Sequence, residues 1–138
     1  MMKSPQSMKS PQSFERGQEL VEFALTLPIL FLVLMGIFDM GRATYYDSVL
    51  YNAAREGARY GIIYPDNSAG IATAVRNLAV GLNPDPTILS ITSYHDSGAG
   101  TIRVTATYVF TPVTPVVAGF YGANQVTITA QATMRTEQ

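Results

Sequence analysis

The residue best placed to do chemistry is a carboxylate at the edge of a long apolar segment. Glu22 lies inside the run Leu20–Phe38, and the residues that follow it, Phe23–Phe38, carry no charge. An acid in a membrane segment is costly unless it lies near the interface or has a partner. Glu22 is therefore a candidate functional residue by default. The alternative is that its side chain only extends to the headgroups.

The rest of the chain offers little for catalysis. His95 is the only histidine, and we expect it on a hairpin loop, where a lone histidine is usually solvated. Both lysines, Lys3 and Lys9, precede the apolar run, so the folded part has no Schiff-base nucleophile. The sequence lacks the common hydrolase, zinc-protease and nucleotide-binding motifs. It also has no cysteine, which excludes thiolate chemistry and disulfides. We therefore expect neither an enzyme nor a metal or cofactor site.

The composition indicates a chain that lies partly in lipid. Charged residues make up 14% of the 138 residues, whereas soluble domains have roughly 25%. That length is enough for about one domain. The net charge of −1 gives no argument for binding nucleic acid.

The N-terminal third divides into a polar leader and an apolar span. Residues 1–17 contain a tandem MKSPQS repeat, and a segment so rich in Ser, Pro and Gln is expected to be disordered. Residues 18–38 are predicted as a transmembrane helix. Its apolar part, Leu20–Phe38, would span roughly 28 Å, close to the thickness of the hydrocarbon core. Pro28 is compatible with a lipid-embedded helix.

The charges around the span predict its orientation. The leader is basic, so it should stay in the cytoplasm and place the C-terminal domain outside. A cleaved secretory signal is the alternative, because Gly41-Arg42-Ala43 has the small-x-small pattern of a cleavage site. The apolar run is, however, longer than usual for such a signal, and Asp39 crowds the site.

Helical periodicity continues over residues 39–64, which we expect outside the membrane. An apolar stripe recurs at three-to-four spacing and a polar face lies opposite. Ala53, Gly57 and Gly61 form a four-spaced ladder of small residues, which allows another backbone to approach closely. We expect the ladder to pack on the protein's own sheet, with a subunit contact as the alternative.

Residues 65–138 predict a small α+β domain. Pro65 ends the long helix, and Asn67 or Ser68 can cap a second, short helix that ends near Gly81. Three strands follow, over 87–94, 101–110 and 126–134. In the second strand apolar and polar residues alternate, and we expect five side chains to face the core: Ile102, Val104, Ala106, Tyr108 and Phe110. The predicted fold is therefore α+β: a long N-terminal transmembrane helix extends into a small domain with a second helix and a three-stranded antiparallel sheet.

The connection before the last strand has an apolar middle, Val116–Tyr121. It could face the membrane or a partner, or cap the open end of the sheet.

The start of the apolar run resembles a class of type IV prepilins. The shared pattern is Gly17, four residues, Glu22, an aromatic residue and a long apolar run. The resemblance implies that a prepilin peptidase cleaves after Gly17 and makes Gln18 the new N-terminus. It also implies that Glu22 pairs with the terminal amine of a neighbouring subunit during assembly.

A longer stretch is similar to the TadE-like family, the pseudopilin-type proteins of tight-adherence (Flp) pilus systems. The similarity rests on the Arg-Gly-Gln opening, the VEFAL…P entry, the Asp39-x-Gly41-Arg42 exit and the NAAREGARY segment. It implies a single-pass protein of the bacterial envelope, acting as a minor pilin or pseudopilin in pilus assembly or adhesion. The implied partners are the lipid bilayer, other pilins or pilus assembly proteins, and a prepilin peptidase.

Two other functions stay open. The protein could be a permanently anchored envelope protein whose outer domain binds a neighbouring protein. It could also be a secreted binding domain that signal peptidase releases.

Overall fold

A computed structural model describes residues 12–114, 118, 119, 122 and 124–136 of the chain. The described elements are two helices, α1 and α2, and three strands, β1 to β3. Their bounds are α1 Gln12–Ile63, α2 Ser68–Leu78, β1 Leu89–Asp96, β2 Thr101–Phe110 and β3 Val126–Arg135. The sheet is antiparallel with the order β1-β2-β3. The predicted α+β fold is therefore confirmed. The chain divides after Leu34 into two compact units.

Helix α1 begins earlier than the sequence suggests. Residues 12–17 are helical, whereas we predicted them as part of a disordered leader. Propagating a helix costs far less than nucleating one, so the strong helix of the apolar run extends backwards. The rest of the predicted leader lies outside the described residues.

The second half of α1 supplies one side of the domain core. Leu50, Ala53 and Ala54 of the predicted apolar stripe are fully buried, and so is Ala58, which the prediction did not include. Arg55 and Arg59 on the opposite face are exposed. An amphipathic helix of this kind is stabilised chiefly by packing its apolar face.

Helix α2 is capped as expected but is shorter than predicted. Of the two candidate caps it is Asn67 whose side chain accepts a hydrogen bond, of 2.9 Å, from the Gly70 amide. The helix ends at Leu78, not near Gly81. Gly81 has a φ of +83°, which belongs to a turn and not to a helix. Ile71 and Val75 form its buried face.

The central strand β2 follows the predicted alternation. All five residues expected to face the core are buried: Ile102, Val104, Ala106, Tyr108 and Phe110. Ala106 is paired with Ile91 on one side and with Ala130 on the other.

The predicted limits of β1 are wrong by two residues at each end. The Asp85 carboxylate accepts hydrogen bonds from the Thr87 amide and hydroxyl, so the chain turns there before the strand begins at Leu89. At the other end the Asp96 carboxylate accepts from the Gly98 and Ala99 amides, so the hairpin loop starts after Asp96.

The apolar middle of the last connection, Val116–Tyr121, lies almost wholly outside the described residues. Ala118 and Gly119 are described there, and both are helical.

Candidate functional site

The N-terminal part of α1 is long and apolar enough to cross a membrane. The candidate segment begins at Gly17, and its most apolar stretch of 18 residues has a mean hydropathy of 2.4. None of that stretch is buried within the structure. Apolar side chains that are exposed on all sides of a helix are typical of a segment surrounded by lipid.

The structure places the predicted processing and pairing residues on the exposed surface of this helix. Gly17 and Gln18 are exposed, and a Cβ added at Gly17 would meet nothing within 4 Å. Glu22 is exposed as well, and its backbone carbonyl accepts a hydrogen bond from Thr26. Gln18 and Glu22 are four residues apart, so they share a face of the helix. Among the described residues, no ion pair involves the Glu22 carboxylate.

The small-residue ladder lies inside the domain. Ala53 is fully buried. A methyl group added at Gly57 would overlap a methyl of Val75 on α2, and one at Gly61 would lie 2.8 Å from Ile102 on β2. Real Cβ atoms do not approach other atoms so closely, so the missing side chains let α1 pack directly against α2 and the sheet.

The most elaborate polar cluster of the described residues surrounds Asp39, one residue beyond the predicted span. Only 2% of this residue is exposed. Its Oδ1 accepts the Val113 amide at 3.1 Å and its Oδ2 accepts the Thr114 amide at 2.8 Å. The Thr114 hydroxyl also donates to Oδ2. A buried carboxylate is tolerated when hydrogen bonds satisfy it in this way.

Arg42 completes the cluster from the same side of α1. Its Nη1 lies 3.4 Å from Asp39 Oδ1, and its guanidinium carbon lies 5.2 Å from the ring centre of Phe110. It also lies 5.7 Å from the ring centre of Tyr46. Because the side chain is 42% exposed, the ion pair itself is weak. The contacts with the two aromatic faces add cation–π attraction.

The environment keeps Asp39 ionised. Burial raises the pKa of this carboxyl. The hydrogen bonds from Thr114 and Val113, together with the positive charge of Arg42, outweigh that effect and lower the pKa below its ordinary value. The result is a fixed negative charge at neutral pH that holds the loop after β2 against α1.

The part of α1 that contains Asp39 and Arg42 matches a known protein family. Residues 17–59 match the family model described as TadE-like protein. This segment is similar to the TadE-like family. The match confirms the resemblance seen in the sequence, and it covers about a third of the chain. No curated protein and no solved structure gives a significant match.

The TadE-like segment contains one half of the Asp39 cluster and lacks the other. Asp39 and Arg42 lie within the matched residues, whereas Val113 and Thr114 lie far beyond them. Sequence reasoning singled out Asp39 and Arg42 as a motif but missed their partners. Val113 contributes only its backbone amide, which every residue except proline has, so no residue type could signal the contact.

The expectation that His95 lies on a solvated loop is wrong. His95 is in β1 and is partly buried, and its Nδ1 lies 3.1 Å from Asp66 Oδ1 in the turn after α1. Asp66 is almost fully exposed. The pair therefore connects the hairpin to the far end of α1. Within the described part of the chain, no group of three or more His, Asp or Glu side chains could hold a metal ion.

Proposed function

We propose that this protein is a single-pass membrane protein of the cell envelope that acts as a minor pilin or pseudopilin. In this proposal it has no enzymatic activity, its leader is cytoplasmic and its C-terminal domain is extracytoplasmic. The observation that carries the proposal is the TadE-like match, which begins at Gly17 and continues through the apolar helix. Glu22 lies within the matched residues. In this proposal it is the acid that pairs with a neighbouring subunit, as the prepilin resemblance implies.

The proposed assembly step depends on two charges in a low-dielectric environment. Cleavage after Gly17 would create a new positive charge, the amine of Gln18. Glu22 lies about one helical turn further along, and its side chain is exposed, so a neighbouring subunit could reach it. The amine of one subunit and the carboxylate of the next would each be costly alone in lipid, and pairing offsets part of that cost.

Co-purification with other pilus subunits tests this step. Glu22→Gln keeps the shape of the side chain and removes its charge, so recovery of the other subunits should fall sharply while membrane insertion stays intact. Glu19→Gln is the matched control, because Glu19 is an exposed acid one turn earlier on the same helix. If both variants recover the other subunits as well as the wild type does, Glu22 only extends to the headgroups.

A permanently anchored envelope protein is the second candidate function. One structural feature favours it: α1 begins at Gln12, so the bond after Gly17 lies inside a helix. A peptidase would have to unwind that turn before cleavage. In this case the leader stays attached and the extracytoplasmic domain binds a neighbouring protein.

A further inference from the structure

We propose that the segment 111–114, which directly follows β2, rests on the surface of the bilayer with the Val113 side chain in the lipid interface. This inference rests on the proposed membrane anchoring by α1. It adds a second contact with the membrane, made by a part of the chain that lies far from the span in sequence.

The position of the segment follows from the Asp39 cluster. Asp39 comes immediately after Phe38, the last residue of the predicted span. Side chains of a helix lean towards its N-terminus, so the Asp39 carboxylate lies beside the preceding turn, which is the last turn of the span. The Val113 and Thr114 amides lie 3.1 and 2.8 Å from that carboxylate. The backbone of this segment is therefore held where the helix leaves the lipid.

The side chains around the end of the predicted span suit a lipid interface. Val113 is 69% exposed, although its neighbour Thr114 is buried. Ile37, Phe38 and Met40 on α1 are also largely exposed. A single exposed valine is ordinary on a protein surface. This one is significant because its own backbone amide is held at Asp39, one residue beyond the predicted span.

Arg42 supplies the charge that such a contact needs. It lies about one turn beyond Asp39, its side chain is partly exposed, and its guanidinium carbon lies 5.2 Å from the ring centre of Phe110. A cation at this height can reach the phosphate groups of the lipids, and anionic lipids strengthen such contacts. The apolar side chain of Val113 and the charge of Arg42 thus match the two layers of the interface, acyl chains and phosphates.

Depth-dependent fluorescence quenching tests the contact in the full chain. The sequence has no cysteine, so single cysteines can be introduced and labelled with one polarity-sensitive fluorophore. The variants are Val113→Cys, Phe38→Cys as the reporter of insertion, and Tyr94→Cys as the control. The protein is reconstituted in vesicles of phosphatidylcholine with one fifth phosphatidylglycerol, which carry a quencher on the acyl chain near the headgroup.

Tyr94 is a matched control because it is as exposed as Val113 but lies at the other end of the domain. Its neighbour His95 contacts Asp66, just past the end of α1. The helix from Asp39 to Ile63 is about 36 Å long, so Tyr94 should be out of reach of the bilayer.

We expect the Val113 label to be quenched at least about threefold more than the Tyr94 label, as for a side chain at the headgroup–acyl boundary. Quenching at Phe38 without quenching at Val113 would overturn this inference and leave the anchor intact. Absence of quenching at Phe38 would overturn the anchoring and this inference together. If the Val113 label is shielded from an aqueous quencher but not reached by the lipid quencher, a protein partner covers it, which also overturns the inference.

Discussion

The Asp39 carboxylate accepts a hydrogen bond of 2.8 Å from the backbone amide of Thr114, although the two residues are 75 positions apart. Asp39 lies at the point where the TadE-like helix leaves the predicted span, and Thr114 lies just after the central strand. The contact therefore fixes the loop after β2 to the part of α1 that follows the predicted span. The adjacent Val113 amide donates to the same carboxylate, so the connection is bidentate.

Removing the charge of Asp39 should destabilise the domain. Asp39→Asn keeps one acceptor oxygen but turns an NH₂ group towards an amide, so we expect a loss of about 1–3 kcal/mol. Asp47→Asn is the control, because Asp47 is exposed on the same helix. The measurement is thermal unfolding of the full chain in detergent, followed by near-ultraviolet circular dichroism of the tyrosines. Equal melting temperatures of the two variants would show that the cluster contributes nothing to stability.

Stability should also fall at acidic pH. The pKa of Asp39 is lowered in the folded state, so its contribution is present above the ordinary value of 3.8 and is lost as the pH falls through the folded value. The pKa of Asp85 is lowered as well, by hydrogen bonds from the Thr87 hydroxyl and amide. Asp39→Asn should therefore flatten the decrease in melting temperature below about pH 4, and Asp85→Asn should remove part of what remains. An unchanged slope in Asp39→Asn would contradict the assignment.

Two glycines of α1 should respond in opposite ways to alanine. A methyl at Gly57 would overlap Val75, which is fully buried and cannot easily move, so Gly57→Ala should cost about 1–3 kcal/mol. A Cβ at Gly41 meets nothing within 4 Å, so Gly41→Ala should stabilise the helix by up to about 1 kcal/mol. Thermal unfolding of the full chain measures both. If Gly57→Ala is also stabilising, the ladder does not pack as tightly as its geometry indicates.

The fold could be predicted from the sequence wherever the pattern is local. The alternation in β2 and the apolar stripe of α1 each identify a buried face without knowledge of the partner. The limits of β1 could not be predicted, because they depend on which of several turn-forming residues accepts the local hydrogen bonds. Asp85 and Asp96 accept these hydrogen bonds. As a result, both ends of β1 lie two residues later in the chain than predicted.

The candidate site was harder to predict because its contacts are distant in sequence. Asp39 stood out as a charge at the end of an apolar run, which is a local signal. Its partners in the loop after β2 are the Val113 and Thr114 amides and the Thr114 hydroxyl. Backbone amides carry no residue-type signal, and one threonine in a Pro-containing loop does not identify a partner for Asp39. His95 was misplaced for a related reason, since its contact with Asp66 joins segments 29 residues apart.

The orientation of the chain can be tested with a reporter enzyme fused after Gln138. Lys3, Lys9 and Arg16 precede the apolar run, so the leader should stay in the cytoplasm and the reporter should be outside. An alkaline phosphatase fusion should be active, and a matched cytoplasmic reporter at the same position should be inactive. The opposite pattern would reverse the orientation and remove the pilin proposal with it.

The mature N-terminus of membrane-extracted protein is the most direct test of the proposed function. In a cell with an active prepilin peptidase, mass spectrometry should find a chain that begins at Gln18. Gly17→Val should block this cleavage and leave the basic leader attached, because the peptidase of the resembling prepilins requires a residue without a side chain before the scissile bond. A wild-type chain that begins at Thr44 would indicate secretion, and one that keeps its initial methionine would contradict processing and leave a permanently anchored protein.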